Sequence, residues 1–194
     1  MFCRMPGSRY VRAEGFAQLG ACILLVLAGW ALLSWRAVAW FLLKRSLRRK
    51  FHDVRWITIE ELADWLVDER RPEPVLLDVR DEVEWNVSQL PGARHLDPPS
   101  GAAKAVAQLA KETRIVTYCA VGYRSAQAAQ HLQIAGYKNV QNLEGSIFEW
   151  ANEGRPLTCK GVPTDRVHPY SRFWARFLKP QARAPDPKAA DAGS

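Results

Sequence analysis

Cysteine and histidine are scarce in this sequence, with four residues of each type among 194. No two cysteines form a Cys-x-x-Cys pair, and no cysteines and histidines share the spacing of a zinc site, so neither a metal nor a cofactor is expected. The central part of the chain holds only Cys119 and Cys159, which argues against a disulfide scaffold and favours a reducing compartment. The histidines have no common spacing with Cys119, which disfavours a hydrolase built on a Cys–His pair.

Acidic residues are almost absent from the start of the chain, where one stands among the first 52 residues beside nine lysines and arginines. Residues 53–160 carry a net charge of −4 and residues 161–194 carry +3, within an overall charge of +7. A nucleic-acid-binding domain would carry its positive charge on the folded body, so no nucleic-acid partner is expected. Basic ends around a mildly acidic body instead indicate a membrane surface as a partner.

Charge is absent over residues 16–35, a run of mostly apolar residues. A helix of that length spans about 30 Å, the thickness of the hydrocarbon core of a bilayer. We therefore predict one transmembrane helix over 16–35, preceded by an N-terminal flank, 1–15, and followed by a basic juxtamembrane segment, 36–52. The heavier positive charge after the helix places the rest of the chain in the cytoplasm, which makes this a single-pass membrane protein.

A cleaved signal peptide is the alternative for this segment, because Ala37-Val38-Ala39 resembles a small-x-small cleavage site. The length of the apolar run and the basic block at 44–50 favour a retained anchor instead. Residues 37–51 mix aromatic, leucine and basic positions, a composition that also suits a helix lying along the lipid surface.

Residues 53–160 alternate short β-like runs with helical patterns, which indicates an α/β domain whose parallel sheet is covered on both faces. The segment 161–194 is predicted to be a tail, disordered from about residue 180, where proline, alanine and charge accumulate. Its aromatic and basic cluster, 172–177, either caps the domain or touches a membrane. The predicted strands cover 56–59, 75–79, 93–96, 114–118 and 139–143, and the predicted helices cover 60–67, 81–88, 103–112, 125–135 and 146–152.

Cys119 directly follows the apolar strand predicted over 114–118 and opens a short loop. Gly122 gives this loop the backbone freedom for a sharp turn, and a helix is predicted to begin soon after it. Backbone N–H groups of a tight loop and of a helix N-terminus favour negative charge, so they stabilise a thiolate, the reactive form of cysteine. Arg124 adds a fixed positive charge on the far side of the loop. The sequence therefore predicts an active site with Cys119 as its nucleophile.

Several short motifs, taken in this order and spacing, resemble the rhodanese family of sulfurtransferases over most of residues 56–157. The resemblance implies a five-stranded parallel sheet flanked by helices and a catalytic cysteine, Cys119, that carries a sulfane sulfur as a persulfide. Many members have a basic residue after the cysteine and two glycines in the last motif, where this chain has Ala120 and Ser146. The motifs are Leu77-Asp78-Val79-Arg80, Glu84-Trp85, Leu90-Pro91-Gly92-Ala93, Cys119 to Ser125, and Asn142-Leu143-Glu144-Gly145-Ser146 with Trp150.

The activity that this resemblance implies is transfer of a sulfane sulfur from a small donor, such as thiosulfate, to a thiophilic acceptor. The acceptor is a small molecule or a protein. Backbone amides of the loop after Cys119 are expected to hold the terminal persulfide sulfur, in the manner of an oxyanion hole. The residues of this substrate-binding loop are Ala120, Val121, Gly122, Tyr123 and Arg124.

Three further residues are expected to support the site. Asp78 ends a buried strand and can accept hydrogen bonds from the following loop, and Arg80 can pair with Glu84 across a helical turn. We interpret Asp78 and Arg80 as scaffold, and Ser125 as a supporting residue directly after the loop. Cys159 could resolve a persulfide by forming a disulfide, although a passive thiol is the favoured interpretation.

Two other functions fit parts of the pattern. Cysteine-dependent phosphatases and arsenate reductases of a related fold have five residues between the cysteine and the arginine of their loop, whereas four residues separate Cys119 from Arg124. The shorter loop suits a single sulfur atom better than a tetrahedral phosphoryl group. The second alternative is a membrane-tethered carrier or partner-binding module of the rhodanese type, without general turnover.

Overall fold

The computed structural model of the chain describes residues 35–96 and 101–185. The strands are β1 (Arg55–Ile57), β2 (Val75–Asp78), β3 (Arg94–His95), β4 (Arg114–Tyr118), β5 (Asn139–Leu143), β6 (Leu157–Cys159) and β7 (Val162–Thr164). The helices are α1 (residues 35–50), α2 (Ile59–Val67), α3 (Glu82–Trp85), α4 (Ala102–Ala105), α5 (Tyr123–Ile134) and α6 (Ser146–Asn152).

The centre of the fold is a five-stranded sheet in the order β1-β5-β4-β2-β3, and every neighbouring pair of strands in it is parallel. The strands β6 and β7 form a separate antiparallel pair. The predicted α/β fold with a five-stranded parallel sheet flanked by helices is therefore confirmed.

The central strand β4 is buried on both of its faces. Ile115 and Val116 point to opposite faces of the sheet because successive side chains alternate along a strand, and both are at most 1% exposed. Ile115 belongs to a core cluster that includes Ala129 and Leu132 of α5. Since β4 is central, its carboxyl end opens at the middle of the sheet edge, where ligands bind in folds of this kind. Cys119 is the next residue.

Two boundaries beside helix starts differ from the prediction by two residues, for reasons that lie in the capping residues. The strand β1 ends at Ile57, two residues early, because Thr58 caps α2 in a reciprocal pair of hydrogen bonds with Glu61. The helix α5 begins at Tyr123, two residues early, because Gly122 adopts a left-handed conformation (φ +107°) directly before it. The loop that begins at Cys119 is therefore shorter than the sequence indicated.

The C-terminal end of α1 packs into the core of the domain. Leu47 and Phe51 are buried in the same core cluster as Cys119. Arg48 donates from Nε and Nη2 to the carboxylate of Glu144, at 2.7 and 3.0 Å. Residues from 43 onward belong to the same compact unit as the sheet, so the folded domain includes residues that the sequence analysis placed in the basic juxtamembrane segment.

No helix within the described residues is both long and apolar enough to cross a membrane. The predicted transmembrane segment, 16–35, lies outside those residues except for its last one, as do the N-terminal flank, 1–15, and residues 186–194. The transmembrane helix and the cytoplasmic location of the domain therefore stay predictions.

The segment after β7, which was predicted as a tail, contains two short 3-10 helices, Trp174–Phe177 and Pro180–Ala182. Val167 and Leu178 are fully buried. The side-chain amide of Asn152, at the end of α6, binds a backbone carbonyl and a backbone N–H of this segment, both at 2.7 Å. The chain is therefore packed as far as Ala182, which is buried, beyond the point near 180 where disorder was predicted to begin.

Candidate active site

The loop that begins at Cys119 is held by the first turn of α6. The backbone N–H of Cys119 donates to Oγ of Ser146 at 3.2 Å, and its carbonyl oxygen accepts from the N–H of Ile147 at 3.2 Å. The carbonyl oxygen of Ala120 accepts from the N–H of Phe148 at 3.1 Å. An α-helix leaves its first N–H groups without partners inside the helix. Here the N–H groups of α6 fix the backbone of the loop.

The sulfur of Cys119 lies where a backbone N–H group points at it. The N–H of Gly122 donates to Sγ of Cys119 at 3.1 Å, and the twelve-residue helix α5 begins at the next residue. The side-chain amide of Asn142 donates to the carbonyl oxygen of Gly122 at 2.9 Å, which fixes the orientation of this turn. A helix N-terminus and an N–H donor both favour a negative charge on the sulfur. The geometry suits a thiolate or a persulfide anion.

Arg124 lies in the first turn of α5 and is held by two carboxylates. Its guanidinium binds Glu84 through two nitrogens, at 2.7 and 2.9 Å, and Asp81 at 3.1 Å. It also lies over the ring of Tyr170, 4.9 Å from the centroid. Burial alone would lower the pKa of Arg124, but the hydrogen bonds with Glu84 and the nearby negative charges, that of a Cys119 thiolate among them, raise it well above its usual value. Arg124 is therefore a permanent cation beside the sulfur.

Asp78 and Arg80 form a fully buried ion pair at the end of β2. Nη2 of Arg80 binds Oδ2 of Asp78 at 2.6 Å and its Nε binds Oδ1 at 2.9 Å, and both side chains are 0% exposed. The same Nη2 donates to the backbone carbonyl of Ser88, and the carbonyl of Arg80 contacts Nε2 of His95 at 2.7 Å. The expected pairing of Arg80 with Glu84 is wrong, because Glu84 binds Arg124 instead. Burial and these contacts suit the interpretation of Asp78 and Arg80 as scaffold.

Ser125 and Cys159 make contacts with residues outside the cysteine loop. The carbonyl oxygen of Ser125 accepts from the hydroxyl of Thr117 at 3.0 Å, which ties α5 to β4. The thiol of Cys159 donates to the carbonyl oxygen of Asn86 at 3.3 Å. Within the described part of the chain, no group of three or more histidine, cysteine or acidic side chains is placed to hold a metal ion.

A pocket of about 170 Å³ opens over the cysteine loop. It brings together most of the predicted loop with two aromatic residues from the segment after β7, which the sequence analysis did not select. None of the supporting residues Asp78, Arg80 and Ser125 lines this pocket. The lining residues are Cys119, Ala120, Val121, Tyr123, Arg124, Tyr170 and Trp174.

Four residues of the site escaped the sequence analysis in different ways. Ser146 and Asn142 stand inside a quoted motif, and the sequence held a signal for Ser146, because it occupies a position where the family often has glycine. The structure gives it a φ of +50°. Tyr170 and Trp174 lie beyond the resemblance, so their only signal was the aromatic character of the segment. Sequence proximity does not connect that segment to Cys119.

The family follows from comparison with known proteins. Residues 58–153 match the family model described as rhodanese-like domain. The chain is also 34% identical over 106 residues to a sulfurtransferase of Allochromatium vinosum, an alignment that covers 55% of this chain and 96% of that protein. The chain therefore belongs to the rhodanese-like family.

Two further relatives are larger proteins. Over 102 residues the chain is 38% identical to a probable adenylyltransferase/sulfurtransferase, MoeZ, of Mycobacterium tuberculosis, covering 52% of this chain and 25% of that protein. The crystal structure of a thiosulfate sulfurtransferase from Pseudomonas aeruginosa matches 69% of this chain and 25% of its own, with a TM-score of 0.53 and 26% identity. This chain thus spans about a quarter of the length of each of these two relatives.

Proposed function

We propose that this chain is a sulfurtransferase in which Cys119, as a persulfide, carries a sulfane sulfur from a small donor such as thiosulfate to a thiophilic acceptor. The observation that carries the proposal is the hydrogen bond from the N–H of Gly122 to Sγ of Cys119 at 3.1 Å, at the start of α5. Relatives named as sulfurtransferases support the same class of reaction.

The reaction has two steps, each a displacement at sulfur. The thiolate of Cys119 attacks the outer sulfur of thiosulfate, the sulfur–sulfur bond of the donor breaks, and sulfite leaves with the electron pair. The acceptor, a thiolate or cyanide, then attacks the outer sulfur of the persulfide and releases the thiolate of Cys119. Two such steps through a covalent intermediate predict ping-pong kinetics. The backbone N–H groups of residues 120–124 stabilise the persulfide anion between the steps.

Phosphoryl transfer fits the site less well. A phosphatase needs an arginine whose guanidinium can bind the phosphoryl oxygens. The guanidinium of Arg124 already binds Glu84 at two points and Asp81 at a third. Together with the four-residue spacing between Cys119 and Arg124, this favours a single sulfur atom as the group that the loop holds.

Substitution of the cysteine tests the proposal. The full chain, Cys119→Ser and, as a matched control, Cys159→Ser are compared for thiosulfate-dependent formation of thiocyanate from cyanide. We expect Cys159→Ser to keep the activity of the unmodified chain and Cys119→Ser to lose it. Equal activity in Cys119→Ser would contradict the proposal. Sulfur loading of Cys119 without turnover by cyanide or small thiols would instead support the carrier alternative, in which a dedicated protein takes the sulfur.

We also propose that residues 16–35 anchor the chain in a membrane as a single span, with the domain on the cytoplasmic side. The uncharged run of these residues and the basic residues that follow it support this proposal. Fractionation with membranes, together with reporter fusions after residue 185, tests both parts. Recovery of the full chain in the soluble fraction, cleavage after Ala39, or an extracytoplasmic reporter signal would contradict it.

A further inference from the structure

The pocket over Cys119 is mainly apolar and aromatic. Ala120 and Val121 contribute aliphatic surface next to the cysteine, and Tyr123, Tyr170 and Trp174 contribute aromatic rings. An apolar cavity of about 150 Å³ is large enough for one benzene ring, and this pocket measures about 170 Å³. The space in front of the sulfur can therefore hold an organic group of that size.

The cation that lines this pocket, Arg124, is already paired with carboxylates. Among the seven lining residues Arg124 carries the only positive charge, and it binds both Glu84 and Asp81. Lys50 lies at the edge, where its ammonium group donates to the hydroxyl of Tyr123 at 2.7 Å. A dianion such as thiosulfate would lose water in this mainly apolar pocket, and the one guanidinium in its lining is already paired with two carboxylates, so its second negative charge is poorly compensated.

Tyr170 and Trp174, which we call the aromatic wall of the pocket, are packed as part of the domain. Tyr170 and Trp174 follow the residues that match the family, 58–153. Tyr170 adopts a φ of +62°, uncommon for a bulky residue, and its ring lies against the guanidinium of Arg124. Leu178, four residues after Trp174, is fully buried and anchors the segment. The wall is therefore a feature that this chain adds to the cysteine loop.

We propose that Tyr170 and Trp174 make this site selective for sulfane donors that have an apolar organic body and at most one negative charge, such as organic persulfides and organic thiosulfonates, over thiosulfate. The inference rests on the proposed function and narrows its donor. With a thiosulfonate, the Cys119 thiolate attacks the outer sulfur, the sulfur–sulfur bond breaks, and the organic sulfinate leaves with the electron pair. With a persulfide, the organic thiolate leaves in the same way. Tyr170 and Trp174 act on binding of the organic body and take no part in the bond changes.

Three donors separate the effect of the organic body from that of charge. Benzenethiosulfonate and methanethiosulfonate have the same charge and both release a sulfinate, but they differ in the size of the organic body, and thiosulfate carries a second negative charge. The measurement is kcat/KM for each donor with the full chain and cyanide as the acceptor. We expect a preference of about tenfold or more for benzenethiosulfonate over methanethiosulfonate, as is usual for an added apolar group in a fitting pocket. Both should exceed thiosulfate.

The variants Trp174→Ala and Tyr170→Ala test the assignment to the aromatic wall. Each should lower the ratio of kcat/KM for benzenethiosulfonate to that for methanethiosulfonate severalfold, and a ratio is insensitive to general loss of folded protein. Trp174→Phe keeps an apolar ring and should retain most of the ratio. Val162→Ala, which truncates an exposed apolar side chain outside the pocket lining, is the control and should not change it. Tyr170 is about half exposed, so its truncation leaves the core intact even if Trp174→Ala does not fold.

The outcomes distinguish this inference from the function on which it rests. A ratio near one in the unmodified chain, a ratio unaffected by Tyr170→Ala, or the best kcat/KM with thiosulfate would overturn the selectivity while leaving sulfur transfer in place. Failure of every donor to place sulfur on Cys119 would overturn the proposed function, and this inference with it.

Discussion

Removal of one charge from the buried pair of Asp78 and Arg80 should strongly destabilise the domain. In Asp78→Asn the guanidinium of Arg80 keeps its hydrogen bond to the carbonyl of Ser88 but loses the carboxylate that now binds it at 2.6 and 2.9 Å. Both side chains are 0% exposed, so water cannot replace the lost partner. Breaking a buried pair from one side costs about 3–5 kcal/mol, a large part of the 5–15 kcal/mol by which domains are typically stable.

Urea unfolding followed by circular dichroism measures this loss. With a slope of about 2 kcal/mol per molar urea, the midpoint of Asp78→Asn should fall by about 2 M. The double variant Asp78→Asn/Arg80→Met removes both charges. Its free energy of unfolding should be at least about 2 kcal/mol higher than the sum of the two single losses would give. A loss below about 1 kcal/mol in Asp78→Asn, or strict additivity in the double variant, would refute the reasoning.

Three further changes test the supports around the cysteine loop. Leu47→Ala should lower the free energy of unfolding by about 2–5 kcal/mol, measured in urea. Leu42→Ala, at an exposed position of the same helix, should change it by no more than about 0.5 kcal/mol. A loss in Leu47→Ala as small as that in Leu42→Ala would show that α1 does not support the domain. Ser146→Gly should be about 1 kcal/mol more stable than Ser146→Ala, because alanine keeps the strain of a φ of +50° and glycine relieves it; the reverse order in thermal unfolding would contradict this. Burial raises the pKa of Glu144, but its hydrogen bond and ion pair with Arg48 lower it further than burial raises it, so that the net pKa is below its usual value. The pair therefore stabilises the fold above the unfolded pKa of a glutamate, and this contribution disappears as the pH falls through the lowered folded value. The free energy of unfolding of the unmodified chain should thus exceed that of Arg48→Gln at neutral pH, and the two values should converge in acid. A difference that does not change with pH would count against the pairing.

The central part of the fold could be predicted because its signals are local. The bounds of β4, β5 and α6 agree with the strands and the helix predicted over 114–118, 139–143 and 146–152. Apolar residues occupy the middle of β4, and a glycine, Gly145, stands directly before α6. The position of Cys119 after a central strand followed from the same local pattern.

What could not be predicted depends on contacts between distant parts of the chain. Glu84 and Arg124 are 40 residues apart, so the nearer Arg80 looked like the partner of Glu84. The helix α4 ends at Ala105, short of the predicted residue 112, and the next carbonyl, that of Val106, accepts from the hydroxyl of Tyr137. Local periodicity contains no information about such partners.

The aromatic wall of the pocket is the largest difference at the site. The sequence left two roles open for the aromatic and basic cluster, 172–177, a cap on the domain or a contact with a membrane, and buried residues such as Leu178 hold this segment against the domain. The position of Trp174 beside Cys119 follows from this packing and from no property of the segment itself.

The mass of the sulfur-loaded protein tests the central claim most directly. The full chain is incubated with thiosulfate or benzenethiosulfonate, freed of excess donor, and digested without reductant for peptide mass spectrometry. We predict an added mass of one sulfur atom on the peptide that contains Cys119, its loss on addition of cyanide, and no such adduct in Cys119→Ser. An adduct that persists in Cys119→Ser, one confined to Cys159, or none with any donor would contradict the account.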